Sequence, residues 1–269
     1  MDVSHLLDEL NDAQREAVTT EDNHVLVLAG AGSGKTRVLV HRLAWLIQVG
    51  HVSPLSVLAV TFTNKAAGEM RERTQDLLQV STLPLCIGTF HSIAHRLLRM
   101  HWREAGLDEN FQIIDSDDQH RLLRRLIREE SLDENQFPAR QAQWFINARK
   151  DEGQRPSSIE HMDHPLTATW VHLYERYQSH CERSGLVDFA ELLLRAHELW
   201  LNQPELLGHY QRRLTHLLVD EFQDTNAIQY AWIRMLAGDT GQVFVVGDDD
   251  QSIYGWRGAR VENVQYFCL

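Results

Sequence analysis

The stretch that decides the fold is Val25-Leu26-Val27-Leu28, which runs directly into Ala29-Gly30-Ala31-Gly32-Ser33-Gly34-Lys35-Thr36. The aliphatic run that comes first is typical of a strand buried on both faces. A glycine-rich loop ending in lysine and threonine follows, and a helical pattern then extends from Arg37 to Gln48. Strand, loop and helix in this order are the context in which such a loop binds phosphate.

The loop predicts a site for a magnesium–nucleoside triphosphate. Its glycines allow backbone N–H groups to turn towards an anion, and the helix adds its positive N-terminal end. Lys35 is expected to reach the β- and γ-phosphates, and Thr36 is expected to hold Mg²⁺. Ala29 stands where the general pattern has glycine. The predicted nucleotide-binding residues of the loop are Ala29, Gly30, Ala31, Gly32, Ser33, Gly34, Lys35 and Thr36.

A second apolar run, Leu217–Val219, ends in the acidic pair Asp220 and Glu221. Ligands of open α/β sheets bind at the carboxyl ends of the strands, which is where this pair would lie. We expect Asp220 to hold the metal ion, and we expect Glu221 to orient and deprotonate the attacking water.

A third candidate, Gln251, follows the apolar run Val243–Gly247. A glutamine at this place could contact the γ-phosphate or the attacking water, as a catalytic residue would. The alternative is that residues 248–251 form an ordinary polar loop, and the residues alone leave both interpretations open.

The chain alternates short strands with helices at both ends and is helical in the middle. This pattern predicts an α/β fold with a parallel sheet and an all-helical inserted subdomain. We predict that residues 1–88 and 214–269 form the domain that contains the sheet, with the helical insertion at residues 89–213. The predicted strands are Val25–Ala29, Val57–Phe62, Leu85–Gly88, Leu217–Asp220 and Val243–Gly247.

One predicted helix in the insertion places arginines on one face and aliphatic residues on the other. The arginines are Arg121, Arg124, Arg125 and Arg128. Ser116 or Asp117 is expected to cap its start. A basic face of this kind is usually only solvated, and contact with duplex phosphates is the alternative.

Composition narrows the class of protein. The net charge of −12 argues against nucleic-acid binding in general, but it leaves room for a local basic groove. No apolar run is long enough for a membrane helix, and no secretory signal is visible, so we expect a cytoplasmic protein without membrane contact. The histidines show no metal-ligand spacing, and the three cysteines indicate reduced thiols.

Several blocks resemble superfamily 1A helicases of the UvrD/Rep/PcrA group, in that family's order and approximate spacing. The resemblance covers nearly the whole chain. The blocks are Leu10–Val18, Ala29–Thr36, Val60–Ala67, Gly88–Ser92, Val219–Asp224 and Gly247–Ala259.

The resemblance implies a RecA-like P-loop motor domain and assigns further roles. Gln14 matches a position that contacts adenine, and Arg37 matches one beside the base. Positions associated with single-stranded DNA are Phe62, His91, Tyr254, Trp256 and Arg257. Aromatic side chains suit such a role because they stack on bases of any sequence. Packing in a core is the alternative for Tyr254 and Trp256.

The implied activity is that of an ATP-dependent 3′-to-5′ DNA helicase that uses ATP and Mg²⁺. It would act in DNA repair on single-stranded DNA and single/double-strand junctions, with repair proteins as partners. In the family a second motor domain follows, so we expect a truncated chain that binds ATP but does not unwind DNA alone. The alternative is an ATP-gated single-stranded DNA-binding module with little catalysis.

Overall fold

The structure is a computed structural model that describes residues 3–30, 32–79, 85–160 and 165–248. The strands are β1 (His24–Leu28), β2 (Val57–Thr61), β3 (Cys86–Thr89), β4 (Gln112–Ile113), β5 (Leu186–Val187), β6 (His216–Val219) and β7 (Gln242–Gly247). The helices are α1 (Asp12–Thr19), α2 (Lys35–Gln48), α3 (Asn64–Leu78), α4 (Phe90–Met100), α5 (Ser116–Glu129), α6 (Ala139–Asp151), α7 (Pro165–Arg183), α8 (Phe189–Asn202), α9 (Pro204–Arg213) and α10 (Ala227–Ala237). Within these ranges, none of the helices has the length and apolar character needed to span a membrane.

The chain forms two compact units. The first consists of the described residues within 1–93, 203–225 and 230–248, and the second of those within 94–202 and 226–229. The main segment of the helical unit, residues 94–202, lies inside the limits of 89 and 213 that the sequence predicts for the insertion, whereas residues 226–229 lie outside them.

The first unit is built on a parallel sheet of five strands in the order β1-β7-β6-β2-β3. Each of the five predicted strands is present, with bounds shifted by about one residue. The α/β fold class is therefore confirmed. Strand β2 is buried along its whole length because it lies inside the sheet and is covered on both faces. The core also includes Leu39, Leu43 and Ala44 of α2, which are fully buried.

The second unit is helical apart from β4 and β5, which pair in parallel over two residues each. Its core is formed by residues from α5, α6 and α7, with Leu123, Ile146, Leu173 and Tyr174 fully buried. The predicted division of α5 into an aliphatic and a basic face is confirmed, because the aliphatic residues are buried and the arginines exposed.

The cap of α5 differs from the prediction. Asp115, not Ser116 or Asp117, is the N-cap, and its side chain accepts a hydrogen bond of 2.8 Å from the backbone N–H of Asp118. Asp115 has an extended backbone, whereas Ser116 already has the helical conformation. A carboxylate in the extended residue reaches the third N–H of the helix, which the helix itself leaves without a partner.

The four arginines on the basic face of α5 are all paired with neighbouring carboxylates. Arg124 and Arg128 both bind Glu134, at 3.2 and 2.5 Å, and Arg125 lies 3.6 Å from Glu129. Arg121 pairs with Asp118. The hydrogen bonds from Arg128 and Arg124 lower the pKa of Glu134, which keeps that carboxylate ionised. The basic face of α5 therefore offers less positive charge than its sequence indicates.

A buried ionic network joins α6 to α8 inside the helical unit. Lys150 Nζ lies 2.6 Å from Asp188 Oδ2 and 3.0 Å from Glu191 Oε2, and all three side chains are almost fully buried. Tyr177 donates to Asp188 at 2.7 Å, and Arg155 contacts both oxygens of Glu191. Burial acts to lower the pKa of Lys150, but Asp188 and Glu191 outweigh it and raise that pKa. The charged state of the network is thus stabilised by its own pairing.

Candidate functional site

The described candidate residues come together at one edge of the sheet. Because the strands are parallel and in register, their carboxyl ends lie side by side, with Leu28 opposite Gly247 and Thr61 opposite Thr89. The backbone N–H of Ala29 donates to Gly247, and that of Asp220 donates to Val60, so the alignment continues past the strand ends. This edge carries the glycine-rich loop and the acidic pair, as the sequence predicts. Ala31, Gln251, Tyr254, Trp256 and Arg257 lie outside the described residues.

The loop depends on two glycines with left-handed backbone, Gly32 at φ 72° and Gly34 at φ 88°. Side-chain-bearing residues adopt this conformation only at a cost. A Cβ at Gly34 would also lie 2.9 Å from Gln14 Nε2, whereas one at Gly30 or Gly32 would meet nothing within 4 Å. The loop therefore has an open side at Gly30 and Gly32, which suits the approach of a phosphate, and a closed side at Gln14.

Lys35 opens α2 and its side chain is nearly buried. Its Nζ donates to the carbonyl of Ala29 at 2.9 Å and approaches that of Gly30 at 3.4 Å. It also lies 3.5 Å from Asp248 Oδ2, at the end of β7. The ammonium group is thus held against the loop by oxygen atoms, in the position where it could reach a bound anion.

Thr36 and Asp220 meet although they are far apart in the sequence. Thr36 Oγ1 donates to Asp220 Oδ2 at 3.4 Å. Burial raises the pKa of Asp220 to about 6, and the adjacent charge of Glu221 acts in the same direction. Hydrogen bonds from the Glu221 backbone and from Thr36 act against this shift. A hydroxyl and a buried carboxylate beside a phosphate loop are a suitable oxygen donor set for Mg²⁺.

Glu221 follows Asp220 in a strained conformation. Its φ of 49° lies in the left-handed region, which is rare for a residue other than glycine and costs about 1–3 kcal/mol. Its N–H donates to Asp220 Oδ1 at 3.0 Å, and its carboxylate accepts from Gln223 Nε2 at 2.7 Å. Strain that neighbouring contacts maintain is a feature of functional sites.

Gln14 and Arg37 lie beside the loop. Gln14 forms a reciprocal capping box with Asn11 at the start of α1, and its Nε2 donates to the carbonyl of Ser33 at 2.8 Å. The side-chain amide of Gln14 therefore stabilises both the start of α1 and the loop. Arg37 is exposed on α2, and its guanidinium lies 3.4 Å from the carbonyl of Glu9. The adenine contacts assigned to these two residues stay predictions.

Two of the predicted DNA-contacting residues are described. Phe62 follows β2 and is half-buried, with its ring 5.8 Å from that of Phe90 in an edge-to-face arrangement. His91 follows Phe90 in the first turn of α4 and is also half-buried. Both therefore lie at the carboxyl ends of neighbouring strands, on the same edge as the loop. Their contact with DNA stays a prediction.

The sequence did not single out Gln223 as a functional residue. It is almost fully buried and contacts both Glu221 and Asp248. A glutamine two residues after an acidic pair is not a signal in itself, because only the fold brings Asp248 to it.

The profile of the UvrD/REP helicase N-terminal domain matches residues 10–268 of the chain. The chain belongs to this family. It is 64% identical over 267 residues to DNA helicase II of Escherichia coli, and 59% identical over 271 residues to DNA helicase II of Haemophilus influenzae. The ATP-dependent DNA helicase PcrA of Leuconostoc citreum is 43% identical over 269 residues.

The alignments cover nearly all of this chain but only part of each relative. Each alignment includes 99% of this chain, but only 37%, 37% and 36% of the respective relatives. The chain therefore corresponds to little more than the first third of these UvrD/REP helicases. The predicted resemblance is confirmed, and with it membership of an enzyme family with a RecA-like N-terminal domain.

Proposed function

We propose that the chain binds Mg–ATP and single-stranded DNA as the N-terminal motor part of an ATP-dependent 3′-to-5′ DNA helicase. The main support is the contact of Thr36 with Asp220 next to Lys35. This arrangement combines a cation, a hydroxyl and a carboxylate around a loop whose N–H groups suit phosphate. The names of the relatives agree with it, since they are DNA helicases and one is called ATP-dependent.

The residues have separate tasks in this proposal. The loop and the N-terminus of α2 bind the phosphates, and Lys35 donates to the β- and γ-phosphates. Thr36 and Asp220 hold Mg²⁺, which would neutralise charge on the phosphates when bound. No group of three or more His, Cys, Asp and Glu side chains among the described residues is arranged for a metal ion. The other magnesium ligands would therefore be phosphate oxygens and water.

Hydrolysis in this proposal depends on Glu221, which accepts a proton from the attacking water. Gln251 is the proposed contact to the γ-phosphate or to that water. Gln14 and Arg37 bind the adenine end of the nucleotide. Because Gln14 also holds Ser33 of the loop, adenine binding and loop geometry are expected to change together.

The proposed DNA track uses Phe62, His91, Tyr254, Trp256 and Arg257. Aromatic stacking contributes about 1–3 kcal/mol per base without sequence preference, as a motor on arbitrary DNA requires. On the basis of the resemblance, we propose single/double-strand junctions as the preferred DNA and repair proteins as partners, and we also propose a cytoplasmic location. Unwinding by a polypeptide of these 269 residues alone is not expected, because the relatives are much longer.

The experiment is nucleotide binding and single-turnover hydrolysis by the purified chain, with and without an oligothymidylate. We expect micromolar Mg-dependent ATP binding and slow hydrolysis that DNA accelerates. Binding without any hydrolysis, even with DNA, would favour the ATP-gated DNA-binding module. No binding of nucleotide would refute the proposal.

The DNA part of the proposal is tested with Trp256→Ala. We expect its affinity for the oligothymidylate to fall at least tenfold while ATP binding stays unchanged. Trp144→Ala is the matched control, because Trp144 is 65% exposed on α6 in the helical unit. Equal DNA affinities for the two variants would contradict the proposed track.

A further inference from the structure

Gln223 makes contacts in two directions from a buried position. It lies in a short 3-10 turn (Phe222–Asp224) directly after Glu221, and only 1% of its side chain is exposed. Its Oε1 accepts from the backbone N–H of Asp248 at 2.9 Å. Its Nε2 donates to Glu221 Oε2 at 2.7 Å and lies 3.5 Å from Asp224 Oδ2. The side chain therefore bridges the end of β6 to the end of β7.

The partners of Gln223 determine the orientation of its amide. A backbone N–H only donates, and an ionised carboxylate only accepts. The oxygen must therefore face Asp248 and the nitrogen must face Glu221. A glutamate, a methionine or a leucine at this position cannot reproduce both contacts.

Gly247 gives independent support for this bridge. A Cβ at that position would lie 2.9 Å from Gln223 Oε1 and 3.4 Å from its backbone nitrogen. The last residue of β7 is thus packed so closely on Gln223 that a side chain there would displace it. The ends of β6 and β7 therefore pack closely because Gly247 leaves room for Gln223.

We infer that Gln223 is a positioning residue that links Glu221 to the segment after β7, which carries Gln251, Tyr254 and Trp256. This inference rests on the proposed function. The hydrogen bond engages Oε2 of Glu221 and so fixes the direction in which the carboxylate faces. Asp248 is the residue from which the predicted DNA-contacting segment continues. In this inference, DNA binding that displaces Asp248 moves the backbone N–H that Gln223 accepts from, and Gln223 transmits that displacement to Glu221.

The test compares Gln223→Glu and Gln223→Leu with the unaltered chain. Gln223→Glu keeps an acceptor for Asp248 but places a second carboxylate against Glu221. Gln223→Leu removes both contacts. For both variants we expect ATP affinity within about twofold of the unaltered chain. Single-turnover hydrolysis should fall at least tenfold, and the acceleration by oligothymidylate should fall to near unity.

Gln211→Leu is the matched control. Gln211 lies in the same unit, where its Nε2 donates to the carbonyl of Met235 at 2.7 Å. We expect this variant to keep both the rate and its acceleration by DNA. A purely structural role of Gln223 would lower the rate with and without DNA by the same factor, and that result would overturn the inference. An unaltered rate in both variants would also overturn it.

The result for the unaltered chain separates this inference from the proposed function. If that chain neither binds ATP nor responds to DNA, the proposed function fails and the inference falls with it. If that chain responds to DNA and the Gln223 variants respond equally, only the inference fails. Circular dichroism identifies a variant that does not fold, and the other variant then decides.

Discussion

Thr36 Oγ1 donates to Asp220 Oδ2 at 3.4 Å, although 184 positions separate the two residues in the sequence. The contact holds the start of α2 against the end of β6. Asp220 is only 3% exposed, so its ionised form is poorly hydrated there. The same burial that raises the pKa of Asp220 to about 6 lowers the stability of the fold when this carboxyl is ionised.

Asp220→Asn is expected to stabilise the chain in the absence of Mg²⁺. A pKa of about 6 lies above the usual value of about 3.9 in an unfolded chain. As the pH rises from about 4 through 6, the carboxyl ionises more readily in the unfolded chain than in the folded one, so the free energy of unfolding falls. At pH 8 the carboxyl is ionised in both states, and its burial lowers the stability of the fold. We expect a gain of about 1–2 kcal/mol at pH 8 and none near pH 4.

This gain is measured by urea unfolding with EDTA at both pH values. Asp239→Asn is the control, because Asp239 is exposed after α10 and should change stability at neither pH. A lower unfolding midpoint for Asp220→Asn at pH 8 would contradict the expectation.

Glu221→Gln should separate nucleotide binding from hydrolysis. The amide keeps the size of the side chain but cannot accept the proton of the attacking water. We expect unchanged ATP affinity and a hydrolysis rate lower by about 10²–10⁴, the usual contribution of a general base. Single-turnover hydrolysis with enzyme in excess measures it, and Glu205→Gln, on the exposed start of α9, serves as control. Turnover by Glu221→Gln at the unaltered rate would assign the base elsewhere.

Lys150→Met should strongly destabilise the helical unit. The substitution leaves Asp188 and Glu191 buried with fewer positive partners, and breaking a buried pair in this way costs about 3–5 kcal/mol. Chemical unfolding, monitored through the helical circular dichroism signal, measures the loss of stability. Lys65→Met is the control, because Lys65 is 87% exposed in its pair with Glu69 and should cost no more than about 0.5 kcal/mol. Similar losses of stability in both variants would show that the buried network contributes no more to stability than the exposed pair.

The double substitution Arg124→Gln and Arg128→Gln should leave DNA affinity nearly unchanged. Both arginines already bind Glu134, so their N–H groups are less available to donate hydrogen bonds to DNA phosphates than those of unpaired arginines. Fluorescence anisotropy with a single/double-strand junction should show less than a twofold change. A fivefold or larger loss of affinity would instead indicate that the basic face of α5 binds phosphates.

The sequence predicted what depends on local pattern. Aliphatic runs gave the strands of the first unit, and the order of strand, loop and helix gave the loop around Lys35. It also predicted that Asp220 lies at a strand end. These features are encoded within a few consecutive residues, so no knowledge of distant contacts was needed.

The sequence did not predict features that depend on partners far along the chain. Nothing near Gln223 points to Asp248, and nothing near Lys150 points to Asp188. The pairing of Arg124 and Arg128 with Glu134 was missed because a helix pattern shows only its own faces. The cap at Asp115 was missed because several neighbouring residues are suitable caps, and only the backbone conformation distinguishes them.

The position of β1 determines when the loop that follows it takes shape during synthesis. In the described sheet β1 is an edge strand whose only strand partner is β7. A ribosome releases the chain from its N-terminus, so β1 has no strand to pair with until residues 242–247 have emerged. The helical unit is complete apart from residues 226–229 much earlier, at Asn202. Pairing over such a separation is slow, so the helical unit should fold first and the loop's strand should dock last.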